Sequence, residues 1–293
     1  MENSKSVYSG LLALFVGAAL LGLSAIFVRF SETSPSLTAF YRAFLALPFL
    51  YIWVLRTKTD YPLTNYLTKE NILVLMLAGI FFGTDMAIWN WSISFTSVAH
   101  ATLMANTAPI FVTLISFFFL KEKIKSSFFS ALILSFLGVN LVILSGSGAD
   151  SFKLLGDGLG LIAAVFYAAY ILAIKKLTNS LPPAHTLFFA TVFTAIFLFP
   201  VGLLESESLF PKTKKGWIVL LAYAFVSQSL AQGLITLGIS RLSAHVSSLT
   251  LLIQPVAAAI YGWLILSESL NLWQALGGLI VLAGIYLATR EQD

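Results

Sequence analysis

The chain has 293 residues, 58% of them hydrophobic and only 10% charged, and a mean hydropathy of +0.91 excludes an ordinary water-soluble domain. The formal charge of +4 comes from basic residues at helix ends instead of a patch, which leaves no footprint for nucleic acid. With no Cys, the chain has no disulfides, thiolate nucleophiles, iron–sulfur clusters or Cys-based zinc sites.

A helix crosses a hydrocarbon core of about 30 Å with about 20 apolar residues, so long uncharged runs mark the spans. The first, Ser6 to Val28, is too long for the core of a signal peptide and leads directly into further spans, so it reads as a permanent helix. The second, Ser36 to Leu55, carries Arg42 about 9 Å deep at 1.5 Å per residue. The third, Ile72 to Phe95, carries Asp85, the one charge between Asn71 and Ala99, about 20 Å from its start and level with Arg42. An ionisable group at the centre of a bilayer costs at least about 2.5–3.5 kcal/mol unless it meets a partner or water. Three readings follow: a structural Arg42–Asp85 ion pair, a substrate or proton site, or an Arg42 that snorkels alone.

Trp89 lies one turn after Asp85, and a carboxylate sharing a helix face with an indole suits an organic cation or the ammonium of an amino acid. The competing role for Trp89 is the aromatic belt, where Trp91 is placed. Gly79 and Gly83 form a GxxxG packing face, and the sequon at Asn90 is too deep to be glycosylated.

In the fourth span, Val98 to Leu120, Thr102, Asn106, Pro109 and Thr113 share one stripe, and Pro109 is expected to kink the helix and free the Ala105 carbonyl. The fifth, Ser126 to Ala149, ends in "SGSGAD", which lacks the Lys and the strand-to-helix context of a phosphate loop; ATP is not implied, and no cofactor is expected. The sixth, Gly156 to Ile174, offers Tyr167 and Tyr170 as aromatic walls or as core. The seventh runs from Leu177 to Leu204, and the eighth, Gly216 to Ser240, places Gln228 and Gln232 four apart. In the ninth, Leu242 to Ser267, Pro255 is expected to kink the helix beside Gln254 and free the Leu251 carbonyl, with Ser247 and Thr250 on the same stripe. For both Pro stripes the competing role is helix packing through small polar residues. The tenth span is Ser269 to Thr289. His100, His185 and His245 sit at helix starts without zinc spacing, so no metal site is expected.

Ten spans with the N-terminus inside place Lys5, Arg56, Lys58, Lys69, Lys121, Lys123, Lys125, Lys175, Lys176, Arg241 and Arg290 in the cytoplasm. Arg29, Lys153, Lys212, Lys214 and Lys215 then face outside, a distribution that favours both termini cytoplasmic. The chain also repeats itself. "SVAHATLMANTAPIFVTLISFFFLKEK" aligns without gaps on "SAHVSSLTLLIQPVAAAIYGWLILSES", Pro109 on Pro255, Glu122 on Glu268 and, downstream, Gly138 on Gly284. The expected organisation is an all-α membrane protein of two five-helix repeats, residues 1–146 and 155–293. Because five is odd, the second repeat is inverted, and "KEKIK", with three Lys, against "SESLN", with none, fits opposite sidedness.

This plan, with the Pro followed thirteen residues later by Glu and the Gly-hydrophobic pattern after it, resembles the EamA branch of the drug/metabolite transporter superfamily across nearly the whole chain. The resemblance implies a transporter of a small metabolite, export and exchange for protons. On that basis the chain is expected in a bacterial inner membrane, with a small-molecule solute, protons and the lipid bilayer as partners; one chain holds both halves, so a monomer suffices. The inverted repeat independently points to alternating access around a midplane site. Substrate or proton binding is assigned to Asp85, Arg42, Trp89, Asn106, Thr102, Gln228, Gln232, Gln254 and Tyr167, and hinging to Pro109 and Pro255. The site is chemically lopsided, since the repeat mate of Asp85 is Ala231. An enzyme would need a convergent nucleophile and base or a metal, and neither is visible. The competing class is a non-transporting scaffold, receptor or lipid-handling protein.

Overall fold

Ten helices in the computed structural model are long and apolar enough to cross a bilayer, in agreement with the ten runs read from the sequence. They are α1 (Ser6–Phe30), α2 (Pro35–Arg56), α3 (Lys69–Ser92), α4 (His100–Phe118), α5 (Ser126–Leu144), α6 (Leu154–Thr178), α7 (Pro183–Glu205), α8 (Lys214–Arg241), α9 (Ala244–Ile265) and α10 (Leu272–Thr289). The structure describes residues 2–59, 66–96, 98–119, 121–122, 124–145, 153–205, 208–267 and 270–290. Glu268 and all but Ser145 of the "SGSGAD" connector lie outside the described residues. Apolar side chains cover the exterior as well as the core: Leu12, Leu55, Ile133, Ile196, Ile218 and Leu279 are exposed, as in helices surrounded by lipid. An even number of crossings puts both ends of the chain on one face, here termed proximal; the opposite face is distal.

Several helices are broken near mid-membrane. α1 turns at Gly22–Leu23, α2 at Leu45–Ala46, α4 at Asn106–Thr107 and α9 at Leu251–Leu252. In the last three, Pro48, Pro109 or Pro255 occupies the second or third position of the helical piece that follows, where a missing N–H leaves no gap in the ladder. The two expected kinks are therefore full breaks. One detail of the expectation is corrected: the Leu251 carbonyl is not free, because the break lets it accept the Gln254 N–H at 2.9 Å. Pro200 sits inside α7 without breaking it. α8 widens into a π-helix over Ala224–Ala231, a local geometry often found at functional sites and one that no sequence pattern signalled.

Packing follows the inverted duplication. α3 packs on α6 and α7, and its repeat mate α8 packs on α1 and α2; α4 contacts α6 as α9 contacts α1; α2 pairs with α7 and α5 with α10. The α5–α10 seam reproduces the symmetry at the atomic level. A methyl group at Gly138 would lie 2.7 Å from both the Gly277 carbonyl oxygen and the Val281 nitrogen. At Gly284 it would lie 2.9 Å from the equivalent atoms of Ala131 and Ser135. Gly79 and Gly83 bring α3 against Ala190, Phe193, Thr194 and Phe197 of α7, and the Thr194 hydroxyl donates to the Gly79 carbonyl at 3.2 Å.

Candidate functional site

A cavity of about 130 Å³ runs from mid-membrane toward the distal face, where it reaches Val28, Pro35 and Asn90 at the ends of α1, α2 and α3. Its inner end stops at Gln232 and Gln254; beyond them Leu14, Ile171, Ile235 and Leu249 fill the proximal half as buried core. On the proximal surface the two halves touch through His245 Nδ1 and Glu122 Oε2, 3.2 Å apart, with Phe128 edge-on to the imidazole.

Of the residues singled out in the sequence, Arg42, Asp85, Trp89, Thr102, Asn106, Tyr167, Gln232 and Gln254 line this one cavity. They come from α2, α3, α4, α6, α8 and α9, so both repeats contribute. Trp89 faces the cavity, while Trp91 is 45% exposed on the outside, as a belt residue is. Tyr170 is not part of the wall; it stacks on Phe82 at 4.5 Å within the core. Pro109 and Thr113 are buried behind the wall, where the Thr113 hydroxyl donates to the Pro109 carbonyl at 2.7 Å.

The two charges are not paired with each other. Among the described residues Asp85 has no ion pair within 4 Å and no hydrogen bond, and its side chain borders the cavity. Arg42, only 6% exposed, is committed elsewhere. Its Nε donates to Gln228 Oε1 at 3.0 Å, its Nη1 donates to the Tyr223 hydroxyl at 3.2 Å, and its guanidinium lies over the rings of Phe82 and Tyr223, 5.4 and 5.2 Å from their centroids. Gln228 in turn donates to Thr191 Oγ1 at 3.1 Å. Gln228 thus stands behind Arg42, buried in the π-helical turn of α8, and not on the cavity wall. Both halves have their place in this arrangement: the first supplies the charges and the second holds the cation in position.

Sequence reasoning missed Tyr223, an aromatic residue with nothing to distinguish it from the other nine tyrosines until the fold places it on Arg42. It also missed Asp157, which it passed over as an extension of the sixth span. Asp157 is 1% exposed and accepts bonds from Thr96 Oγ1 at 2.8 Å and the Lys153 N–H at 2.9 Å, with His100 Nδ1 at 3.4 Å, tying α3, α4 and α6 together at the distal face. Its position between Gly156 and Gly158 in an apolar run was the available signal.

Comparison with known proteins agrees with this architecture. The model of the EamA-like transporter family matches the chain twice, at residues 8–144 and 154–290. The pseudopaline exporter CntI of Pseudomonas aeruginosa is 28% identical over 284 residues, covering 96% of each chain. The uncharacterized transporter YetK of Bacillus subtilis is 27% identical over 229 residues, covering 75% of this chain and 69% of that protein. A chain of known crystal structure superposes with a TM-score of 0.79 over 98% of this chain and 97% of its own, at 16% identity, which speaks to the fold alone.

Proposed function

Because the chain belongs to the EamA-like transporter family and is an integral membrane protein, we propose that it exports a small organic solute carrying a cationic group, by alternating access and in exchange for protons. The observation that carries this reading is Asp85, a carboxylate bordering the central cavity with no protein partner among the described residues. A carboxylate in a low-dielectric cavity holds either a proton or a cation, and the two exclude one another. That competition is enough for exchange: a proton arriving from the distal side displaces the solute, and solute arriving from the proximal side displaces the proton. Trp89, one turn away, offers its ring to the cation, and Thr102, Asn106 and Gln254 offer neutral hydrogen-bonding groups.

In this reading the distal face is the outside of a bacterial inner membrane, both termini are cytoplasmic, and residues 1–146 and 155–293 are two pseudo-symmetric repeats that exchange conformations. The conformation of the structure is then closed to the cytoplasm by the core below Gln232 and by the Glu122–His245 contact. The breaks before Pro109 and Pro255 let half-helices of α4 and α9 tilt without breaking further hydrogen bonds. The relative CntI, named as an exporter of pseudopaline, supports the outward direction.

The test is flux in proteoliposomes against a metabolite panel under an imposed pH gradient. Proton-dependent flux of at least one cationic or zwitterionic solute is expected, with Asp85→Asn folding normally and losing it. No flux across the panel, or an Asp85→Asn variant that retains proton-driven flux, sinks the proposal.

A further inference from the structure

Four buried polar atoms without hydrogen-bond partners belong to three residues of the cavity wall: Arg42 Nη2, the Tyr167 hydroxyl, and both Nε2 and Oε1 of Gln232. Each such atom costs about 1–3 kcal/mol when left unpaired, so natural proteins rarely gather them without a purpose. They are near one another. Arg42, Tyr167 and Gln232 line one cavity of about 130 Å³ together with Asp85.

The guanidinium is prepared in a particular way. Gln228 and Tyr223 take Nε and Nη1, the rings of Phe82 and Tyr223 fix the plane, and one nitrogen remains. Together with the Tyr167 O–H and the Gln232 amide N–H it makes a set of donors beside a fixed positive charge. A set of this kind fits a planar, singly charged carboxylate, whose two oxygens accept from the cation and from a neutral donor. A phosphate, with three oxygens and more charge, finds one free guanidinium nitrogen and no second cation among the residues lining the cavity.

We propose that Arg42, Tyr167 and Gln232 form a carboxylate subsite, and that with Asp85 at the other pole the cavity takes a zwitterion: one solute bearing both an ammonium and a carboxylate, on the scale of an amino acid. This rests on Asp85 as the cation pole and adds the anion pole. The absence of an Asp85–Arg42 ion pair is what makes room for it: two opposite charges share one cavity without touching, and a solute of opposite polarity bridges them. Such a solute crosses with no net charge of its own, so neither pole is left uncompensated when it is bound.

Thermal-shift titration of the purified full-length protein tests this with matched triads: leucine, isopentylamine and 4-methylpentanoate; phenylalanine, 2-phenylethylamine and 3-phenylpropionate. In at least one triad the amino acid is expected to bind about tenfold more tightly than its amine or its acid, since each loses a charge-assisted bond. Gln232→Leu is expected to remove most of the amino acid's advantage while leaving the response to the amine, and Asp85→Asn to do the reverse for the acid. If the amine matches the amino acid in both triads, the carboxylate subsite is refuted while Asp85 stands as a cation site. If amine and acid added together reproduce the amino acid, two independent ions bind and the bridging solute is refuted. No shift with any of the six compounds refutes the amino-acid scale, leaving the flux panel to judge the transporter reading separately.

Discussion

Arg42 Nε and Gln228 Oε1 are 3.0 Å apart, and that bond joins the repeat that gives the cavity its charged residues to the repeat that gives it none. Its partner atom is as important as its charge. Replacing Gln228 by Leu removes the acceptor and leaves a buried N–H of a cation unpaired, at about 1–3 kcal/mol. Gln228→Leu is expected to lower the melting temperature in detergent, and Gln228→Glu, which keeps the acceptor and adds a compensating charge, to restore it. Solute binding is expected to weaken in both, because the leucine releases the guanidinium and the glutamate neutralises it. A Gln228→Leu variant as stable as the parent would show that the bond holds nothing in place.

The α5–α10 seam gives a paired test. A methyl group at Gly138 meets backbone atoms of Gly277 and Val281 at 2.7 Å, and at Gly284 meets the Ala131 carbonyl at 2.9 Å. Backbone cannot rotate away, so Gly138→Ala and Gly284→Ala are each expected to destabilise by about 1–3 kcal/mol, as overpacking does. Gly158→Ala is the control. Nothing lies within 4 Å of its added methyl, and there the gain in helix propensity of about 0.8–1.0 kcal/mol is expected to show. The melting temperatures of the three single variants decide it; equal shifts in all three would mean the seam is not close-packed.

The contrast between these two features shows what a sequence makes legible. Gly138 and Gly284 were visible as repeat mates because a seam between equivalent helices leaves the same residue type in both halves. The ten spans were visible because the bilayer demands long apolar runs. Arg42 and Asp85 stood out because charge in such runs is expensive. Gln228 was flagged for its amide, yet its role was hidden: whether an amide faces the cavity or the back of an arginine depends on rotation within α8, and the π-helical turn that sets this rotation has no sequence signature. Tyr223 was hidden for the same reason, and Pro48, which stands at the start of the second helical piece of α2 as Pro109 does in α4, lacked a repeat mate to draw attention to it.

On the distal surface Glu32 accepts from the Thr213 hydroxyl at 2.6 Å and the Thr213 N–H at 2.9 Å, holding the start of α8. The Thr213 hydroxyl, its N–H and the nearby Lys212 keep the Glu32 carboxyl below its ordinary value of 4.5. A depressed folded-state value means the contribution is complete above 4.5 and is lost as the pH falls below it, through the lower folded value. The melting temperature of the parent is therefore expected to fall more steeply than that of Glu32→Gln below that point, and the two to run parallel from about pH 6 to 8. The effect is small because the carboxylate is solvent-exposed. Parallel curves through the acid range would remove Glu32 from the helix start.

Lys121 and Ser267, with φ of 54° and 57°, are the non-glycine residues with positive φ among the described residues, and they are repeat mates. The same 146-residue interval separates Pro109 from Pro255 and Gly138 from Gly284. Ser267 caps the last turn of its helix and Lys121 lies three residues past Phe118, the last of its own; glycine is the usual choice for a left-handed residue at a helix end. A side chain there costs about 1–2 kcal/mol, part of which glycine returns through its freer unfolded chain. Lys121→Gly and Ser267→Gly are each expected to raise stability by about 0.5–1 kcal/mol, while Lys121→Ala and Ser267→Ala, which keep Cβ, are expected to leave it unchanged. At Lys121 the turn directs the chain into Glu122, whose carboxylate meets His245 across the proximal closure. A glycine that loosened this turn would act on both stability and closure, so Lys121→Gly is also expected to change the rate of solute exchange, and Ser267→Gly to change it by a similar factor if the two halves exchange roles. Glycine variants no more stable than their alanine counterparts would show that the left-handed turns carry no strain.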